Sequence, residues 1–344
     1  MRTTSVILAL GLASTPAVHA WGAVGHEIAA TIAQMYLYPS TLSKLCSVLP
    51  PYAECHLAPV ATWADKIRFY QRWSGPLHYV GSIGDHPSQT CVFQAEKEND
   101  KGGWENSQYN VLNGIRNTTE WILDGREGVE EATKFLVHFL GDMHQPLHLT
   151  GRDRGGNGMK VRFDGRQTNL HSVWDSGLIA KSLRTLPLNY TRPLPIDWVE
   201  SALRETIYTP YIRQIMWEGV LTEWKDELDA WLLCPGAVWK TLGLVNQDGN
   251  PTPLQSIPTD DDVVCPFAWG EPIHQLNCDL IWPPELDEYG PRPHYIELDT
   301  PEYSGRIKRE KLIEKLLAMA GIRMAGVLNY LFADESDGNR LLLL

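Results

Sequence analysis

Imidazole and carboxylate side chains cluster in an apolar segment of this 344-residue chain, residues 135–149, FLVHFLGDMHQPLHL. His138 and Asp142 are four residues apart, so on a helix they project side by side from one face. His148 follows one apolar residue beyond Pro146. Burying these groups is costly unless a partner neutralises them, and a divalent metal such as zinc does so. The alternative is a set of hydrogen-bonded core histidines, which further ligands elsewhere in the chain would argue against.

Such further candidates exist on both sides of this segment. The same His-x-x-x-Asp spacing recurs at His171 and Asp175, and His26, Asp65 and His78 lie upstream. Chance could account for one such pair of core residues, but it is a poor explanation for a whole set of this composition. Imidazole and carboxylate are both ordinary zinc ligands. The sequence therefore predicts a site that holds several metal ions.

Two pairs of residues upstream of this segment also have a plainer interpretation. Asp65 and Arg68 share a helical face and could form a salt bridge; alternatively, Asp65 binds metal and Arg68 clamps a phosphate, which suits a guanidinium group. Trp21 and His26 could be an ordered N-terminus, or a free α-amine at Trp21 could share a metal with His26. On the spacing alone, we favour the ordered N-terminus for this second pair.

Residues 1–20 have the pattern of a secretory signal peptide. A charged start at Arg2 precedes an apolar run over 6–13 and a small-x-Ala cleavage site that ends at Ala20. The mature chain is expected to begin at Trp21. No later segment has an uninterrupted apolar run of membrane-spanning length, so we expect a secreted protein.

The cysteines and glycosylation motifs agree with export. All six cysteines lie after residue 20, and an even number in an exported chain predicts three disulfides. Cys46 and Cys55 flank a proline turn and could bridge locally. Asn117 and Asn189 begin glycosylation sequons.

The chain is acidic, with a formal net charge of −12. General polyanion binders use lysine and arginine to neutralise phosphates, so this balance argues against that class. A phosphate-bearing substrate would need positive charge concentrated locally, and bound metal ions would supply it.

Helices are the main elements predicted to position the candidate ligands. A surface loop is expected at 84–108. The proline-rich residues 234–300 are expected to be irregular, and we interpret them as a lid. His78 is expected on an extended segment. Alternation in residues 159–165 predicts a short strand or ribbon. One helix is predicted to begin after Gly25. Further helices are predicted over 40–49, 58–70, 111–123, 128–140, 169–179, 197–216, 221–233 and 304–332.

Six motifs in order carry a resemblance to a known family: WGAVGHEIAA, WADKIR, LHYV, HFLGDMHQPLH, GGNGMKVRFDG and NLHSVWD. With these motifs the chain resembles the fungal and plant S1/P1 nuclease family, whose members are secreted, mostly helical, trinuclear zinc enzymes. The match runs from Trp21 to about Asp175 and more loosely to the C-terminal helix. It implies an all-α fold, with residues 21–344 forming a single phospholipase C/P1 nuclease-like domain that includes a short β ribbon.

The resemblance also implies three zinc ions and their ligands. His144 lies in a motif but is not a family ligand, so a packing role is expected for it. The nine implied ligands form three groups: Asp65, His78, His138 and Asp142 at the first zinc; Trp21 and His26, with Asp142 as the bridge, at the second; and His148, His171 and Asp175 at the third.

The implied reaction is hydrolysis of single-stranded DNA and RNA to 5′-phosphorylated products, with removal of 3′-phosphates from nucleotides. Metal-activated water attacks phosphorus, with Asp65 and Asp142 among the catalytic ligands. Arg68 steadies a phosphate oxygen, and Tyr79 could stack on a base. Some family members hydrogen-bond the base with an acidic residue three positions after the histidine of LHYV, where this chain has Gly81.

The resemblance bears on the disulfides as well. It suggests that Cys91 pairs with Cys278, which leaves Cys46 with Cys55 and Cys234 with Cys265. This is one of fifteen connectivities that six cysteines allow.

Two alternatives of other kinds remain at this point. A zinc phospholipase C shares the helical fold and an N-terminal tryptophan site, but the GGN and NLHSVWD segments favour the nuclease. A non-catalytic secreted zinc-binding protein is the second alternative, and the complete ligand set argues against it. We expect a monomer whose partners are nucleic acids and 3′-nucleotides rather than membranes.

Overall fold

Helices dominate the fold, as the sequence predicts. The computed structural model describes residues 21–93, 103–234, 260–261, 263–287, 295–334 and 337, so the predicted signal peptide lies outside the described residues. The described α-helices, numbered in chain order, are α1 (Ala23–Met35), α2 (Pro39–Val48), α3 (Trp63–Ile67), α4 (Val111–Leu123), α5 (Val129–Met143), α6 (Leu170–Ser172), α7 (Leu178–Arg184), α8 (Asp197–Glu200), α9 (Thr209–Gln214), α10 (Leu228–Leu232), α11 (Pro266–Leu276), α12 (Ser304–Arg309) and α13 (Leu312–Phe332).

Shorter elements connect these helices. The predicted ribbon is present: β1 (Lys160–Phe163) pairs antiparallel with β2 (Arg166–Asn169). The short 3-10 helices are Pro51–Ala53, Ala58–Val60, Arg72–His78, Pro146–Leu149, Leu188–Thr191 and Pro284–Leu286. The π-helical segments are Val173–Gly177, Ile215–Glu223 and Asn277–Ile281.

Helix α5 lies at the centre of the core, and α1, α3, α4 and α13 pack around it. Every residue of α5 from Ala132 to Met143 is buried. Glu130 and Glu131 occupy its exposed first turn, where carboxylates favour the positive end of the helix dipole. Because no face of α5 reaches solvent beyond that turn, its polar side chains must find partners inside the protein.

Helix α13 is apolar and long enough to cross a membrane by length and composition, and no other described helix passes that test. Buried residues make up 67% of its most apolar window. Its polar residues are paired within the fold: Glu314 accepts a hydrogen bond from the Tyr211 hydroxyl at 2.7 Å, and Nε of Arg323 donates to the Trp231 carbonyl at 2.7 Å. These contacts are those of a core helix.

The long helices predicted over 197–216 and 221–233 are wrong, because the structure divides both segments. α8 ends at Glu200, and α9 begins at Thr209 with Pro210 in its first turn. Proline is tolerated there but would clash with the preceding turn of a continuous helix. Downstream, the π segment ends where the amide of Trp224 donates to the Gly219 carbonyl at 2.9 Å.

The helix predicted over 304–332 is also interrupted. Lys311 has a φ of 47° and separates α12 from α13. Its ammonium group lies 2.7 Å from the Glu223 carboxylate, so a tertiary ion pair accompanies the break. The apolar periodicity continues on both sides of Lys311, so the sequence pattern does not reveal the break between α12 and α13.

Two further predictions need correction. His78 ends a 3-10 helix, Arg72–His78, rather than lying on an extended segment. Pro76 lies inside this helix, and proline's fixed φ of about −65° is close to helical values. Extended backbone begins at Tyr79. The supposed lid contains α11, whose first amides donate to the Asp260 carboxylate at 2.8 and 3.0 Å. Such a cap from outside the helix satisfies donors that have no helical partner. Residues 235–259, 262 and 288–294 of that segment lie outside the described part of the chain.

The three disulfides join the pairs that the resemblance implies: Cys46–Cys55, Cys91–Cys278 and Cys234–Cys265. The last two attach the α11 region to the rest of the fold. Disulfides of this number are typical of proteins that fold in oxidising compartments. Asn117 and Asn189 are both exposed, and their glycosylation stays a prediction.

Candidate metal centre

Asp142, near the end of α5, lies at the centre of a buried group of histidines. Its Oδ1 is 3.1 Å from Nε2 of His26 on α1, and its Oδ2 is 3.0 Å from Nδ1 of His78. His138, one turn earlier on α5, places Nε2 3.3 Å from the same Oδ2. The predicted four-residue spacing thus brings His138 and Asp142 together on one helical face.

Asp65 joins this group from α3. Its Oδ1 lies 3.8 Å from Nε2 of His138 and 3.3 Å from a guanidinium nitrogen of Arg68. Ligand atoms of two triads lie within 4.8 Å of one another: His26, His138 and Asp142 in one, and Asp65, His78 and His138 in the other. His138 belongs to both triads, whereas the resemblance implies Asp142 as the shared ligand.

A third triad consists of His148, His171 and Asp175, whose ligand atoms also lie within 4.8 Å. His148 comes from the 3-10 helix that follows α5. His171 and Asp175 lie on consecutive helical turns, with Nε2 of His171 3.0 Å from Oδ2 of Asp175. The second His-x-x-x-Asp pair therefore meets the first segment in space.

Trp21 is anchored beside this third triad. Its side chain is fully buried, and the amide of Gly22 donates to the Asp175 carbonyl at 2.9 Å. The beginning of the described chain is therefore an ordered part of the core, in agreement with the plainer interpretation of Trp21 and His26. A metal-binding role for the Trp21 amine is compatible with that order.

The histidine rings are oriented by backbone carbonyls. Nδ1 of His138, His148 and His171 each lies 2.6 Å from a main-chain oxygen, those of Ala61, His78 and Gly155 respectively. A neutral ring that donates through Nδ1 carries its lone pair on Nε2. Each Nε2 then faces its triad, which is the arrangement that metal-binding histidines adopt.

Two glycines make this arrangement possible. Gly155 has a φ of 61°, and a β-carbon there would lie 2.5 Å from the Leu147 carbonyl. L side chains rarely adopt this backbone, and the carbonyl of Gly155 accepts the hydrogen bond from His171. A β-carbon on Gly141 would lie 2.5 Å from Nδ1 of His26, so glycine on α5 lets that ring approach.

The electrostatics of the first two triads call for a cation. Burial alone would raise the pKa of Asp142, but the charge of His138 and the close imidazole nitrogens of His138, His26 and His78 hold it well below its usual range. Burial lowers the pKa values of His26 and His78. Burial opposes protonation of His138 too, but Asp142 and Asp65 raise its pKa. A positive charge is thus favourable between these two carboxylates.

The donor set fits divalent metal ions. Among the described residues, Nε2 of His78 and Nε2 of His148 are buried and make no hydrogen bond, although buried polar atoms normally do. Both oxygens of Asp142 are likewise buried without a hydrogen bond of good geometry. Imidazole nitrogens and carboxylate oxygens within a few ångströms of one another are the ligands that zinc prefers.

A cavity of about 370 Å³ opens beside the triads. Its volume falls in the range of small-molecule sites. Tyr79, which is 46% exposed, offers an aromatic face at its edge. The cavity is lined by Arg68, His78, Tyr79, Glu105, Leu147, His148, Thr150, Gly151, Arg154, Gly155, Asn157 and His171.

Several residues of the site were not found by sequence reasoning. Gln145 is fully buried and donates to the Asp175 carboxylate, so it orients a ligand; its place inside HQPLH is a signal that could have indicated it. Arg154 and Asn157 line the cavity from the glycine-rich turn. Glu105 reaches the cavity from the loop before α4, where nothing in the local sequence indicates a site.

His144 faces away from the triads, as expected for a packing residue. Its Nδ1 lies 2.6 Å from the Leu140 carbonyl, and its Nε2 lies 2.9 Å from a guanidinium nitrogen of Arg323. Burial and the neighbouring charge of Arg323 lower its pKa well below the usual value. A neutral His144 therefore accepts a hydrogen bond from a buried arginine.

Comparison with known families identifies one over most of the chain. A sequence model of the family described as S1/P1 Nuclease matches residues 21–333. The matched range includes every residue of the three triads and the described residues that line the cavity.

Individual relatives agree with this match. Endonuclease 2 of Arabidopsis thaliana is 27% identical over 330 residues, which cover 93% of each chain. Nuclease S1 of Aspergillus oryzae is 36% identical over 176 residues, 50% of this chain and 59% of the relative. Nuclease P1 of Penicillium citrinum is 37% identical over 161 residues, 45% of this chain and 57% of the relative.

Proposed function

The chain belongs to the S1/P1 nuclease family, and from that premise we propose that it is a secreted, zinc-dependent nuclease. It hydrolyses single-stranded DNA and RNA to 5′-phosphorylated products and removes 3′-phosphates from nucleotides. The observation that carries the proposal is the convergence of three buried His/Asp triads beside a cavity lined by arginine and tyrosine.

Nine residues would hold three zinc ions. The proposed sets are those implied by the resemblance, with Asp142 shared between the first two sites. The close approach of His26 and His78 to opposite oxygens of Asp142 supports this sharing. Bound zinc supplies Lewis acidity and acidifies water for attack on phosphorus.

The second site needs the amine and carbonyl of Trp21. A peptide nitrogen is a poor ligand because its lone pair is delocalised. We therefore propose that a signal peptide comprising residues 1–20 is removed, so that the mature, single-domain protein begins with a free amine at Trp21.

Residues at the cavity bind and orient the substrate. Arg68 shares its charge between Asp65 and the cavity, where a guanidinium group suits the paired oxygens of a phosphate. Tyr79 presents an aromatic face on which an unpaired base can stack. Bases in a duplex are already stacked and paired, so single strands enter this cavity at lower cost.

The test is hydrolysis by the purified, processed protein. We expect cleavage of single-stranded DNA and RNA, much slower cleavage of duplex, and release of phosphate from 3′-nucleotides, all abolished by a chelator. Metal analysis should return three zinc ions per chain. Full activity in excess chelator would refute the proposal, and release of diacylglycerol from a phosphatidylcholine dispersion without nucleolysis would assign the protein to the phospholipase alternative.

A further inference from the structure

An exposed aromatic surface lies between the ligands Asp65 and His78. We call residues 66–73, KIRFYQRW, the aromatic strip. Its large side chains are open to solvent: Phe69 is 58% exposed, Tyr70 is 85% exposed and Trp73 is 53% exposed. Large apolar side chains that cluster on the surface within a short segment are candidates for an interaction site.

The strip is basic in an acidic chain. Residues 66–80 contain Lys66, Arg68 and Arg72 and no carboxylate, whereas the whole chain has a formal net charge of −12. Lys66 and Arg72 are exposed. Positive charge interleaved with aromatic rings favours a partner that is both anionic and planar.

The strip is held by backbone hydrogen bonds and a ring contact, and it is continuous with the cavity. The amide of Tyr70 donates to the Ile67 carbonyl at 2.8 Å, and the amide of Ser74 donates to the Gln71 carbonyl at 3.0 Å. The ring of Trp73 packs 5.6 Å from that of Phe135 on α5. Arg68, near the beginning of the strip, lines the cavity. These bonds keep the rings presented to solvent beside the proposed reaction site.

From these observations we propose that the aromatic strip binds the part of a single-stranded polynucleotide that extends beyond the cavity. Bases stack on Phe69, Tyr70 and Trp73, while Arg72 and Lys66 contact phosphates. Single-strand binding sites combine these two features, and stacking is tolerant of sequence because every base has a π-face. This inference rests on the proposed nuclease function and adds a preference for long substrates over short ones.

The test compares a 20-nucleotide single strand with a dinucleotide, which is too short to span both the cavity and the strip. Tyr70→Ala should raise the KM for the 20-mer at least about fivefold, the factor expected for one lost base–aromatic contact, and leave the dinucleotide kinetics unchanged. Tyr52→Ala, which removes another exposed tyrosine (58%) that does not line the cavity, is the control. Equal effects on both substrates, or none on the 20-mer, would overturn the inference.

Charge gives a second measurement that does not depend on turnover. Binding of a labelled single-stranded 20-mer, whose backbone keeps the phosphate charge but resists hydrolysis, to the metal-loaded protein is followed by fluorescence anisotropy at several salt concentrations. Arg72→Gln should reduce the slope of log affinity against log salt by about 0.7, the value for one lost phosphate contact on a single strand, and exposed Arg192→Gln should not. An unchanged slope would overturn the phosphate contact.

The two proposals fail in different ways. A wild-type protein that cleaves both substrates with equal KM leaves the nuclease function standing and refutes the strip. A wild-type protein that cleaves neither substrate and does not bind the 20-mer refutes both the nuclease function and the role of the strip. In that case the exposed residues of the strip would instead be assigned to binding another protein.

Discussion

The carboxylate of Glu105 lies against the backbone of Gly81. The amide of Glu105 donates to the Gly81 carbonyl at 2.9 Å, and a β-carbon added to Gly81 would lie 2.8 Å from Oε2 of Glu105. A β-carbon on Gly151 would also meet this carboxylate. Glycine at position 81 therefore leaves room for an acidic side chain that arrives from a different loop.

This relationship leads to a prediction about base preference. An ionised carboxylate only accepts hydrogen bonds, so Glu105 at the cavity favours bases that present donors. Glu105→Gln introduces donors and should change the ratio of kcat/KM among the four 3′-nucleotides by about tenfold, equivalent to about 1.4 kcal/mol. The control is Glu120→Gln, on the partly exposed face of α4. Unchanged ratios would mean that Glu105 does not contact the base.

Asp142 should be required for two metal ions at once. Asp142→Asn removes the charge shared by the first two sites, so metal analysis should find one zinc per chain instead of three. Activity should fall by at least about a hundredfold, because the loss of residues that merely orient metal ligands already reaches that size. The control is Asp124→Asn, an exposed carboxylate. A variant that retained three zinc ions would contradict the shared role.

The N-terminal amine offers a test that changes no side chain. A protein that keeps one residue before Trp21 has a peptide nitrogen in place of the amine, so it should lose one zinc and most of its activity. The same number of residues added after Leu344 should have no effect. Normal metal content and turnover in the extended protein would exclude the amine as a ligand.

The pH dependence of stability should reflect His56. Burial lowers the pKa of His56 to about 4, while its ring accepts from the Ala58 amide and donates to the Ala202 carbonyl. Because an unfolded histidine titrates near 6.5, its contribution is fully present above that pH and is lost as pH falls towards 4. The loss is up to about 3 kcal/mol.

This contribution can be measured by urea unfolding at pH 7.5 and 4.5, in chelator and with disulfides intact. His56→Gln should reduce the difference in unfolding free energy between the two pH values. His86→Gln, which changes a half-exposed histidine, should not. Equal pH dependence in the wild type and His56→Gln would show that His56 titrates normally.

Sequence spacing predicted the local parts of the site well. His138 with Asp142, and His171 with Asp175, face their neighbours because four residues correspond to about one helical turn. Both interpretations of Asp65 and Arg68 are compatible with the structure, since the pair forms an ion pair at 3.3 Å and Arg68 also lines the cavity. Spacing alone does not distinguish these roles when one residue can serve both.

The errors arose where distant contacts override local pattern. Lys311 interrupts a continuous apolar periodicity while its side chain pairs with Glu223, 88 residues away in sequence. α11 begins where the carboxylate of Asp260 caps it, inside a stretch whose prolines indicate irregular structure. Glu105 enters the cavity from a polar loop that resembles any other surface loop.

By itself, the sequence determined the mainly helical fold, the residue types of the candidate ligands and the pairing of those that share a helical turn. Only the tertiary structure decided which triads they form, that His138 belongs to two of them, and that Glu105 occupies the space beside Gly81. The physical reason is range: helix geometry relates residues a few positions apart, whereas the packing of α1, α3 and α5 sets distances between side chains far apart in the chain.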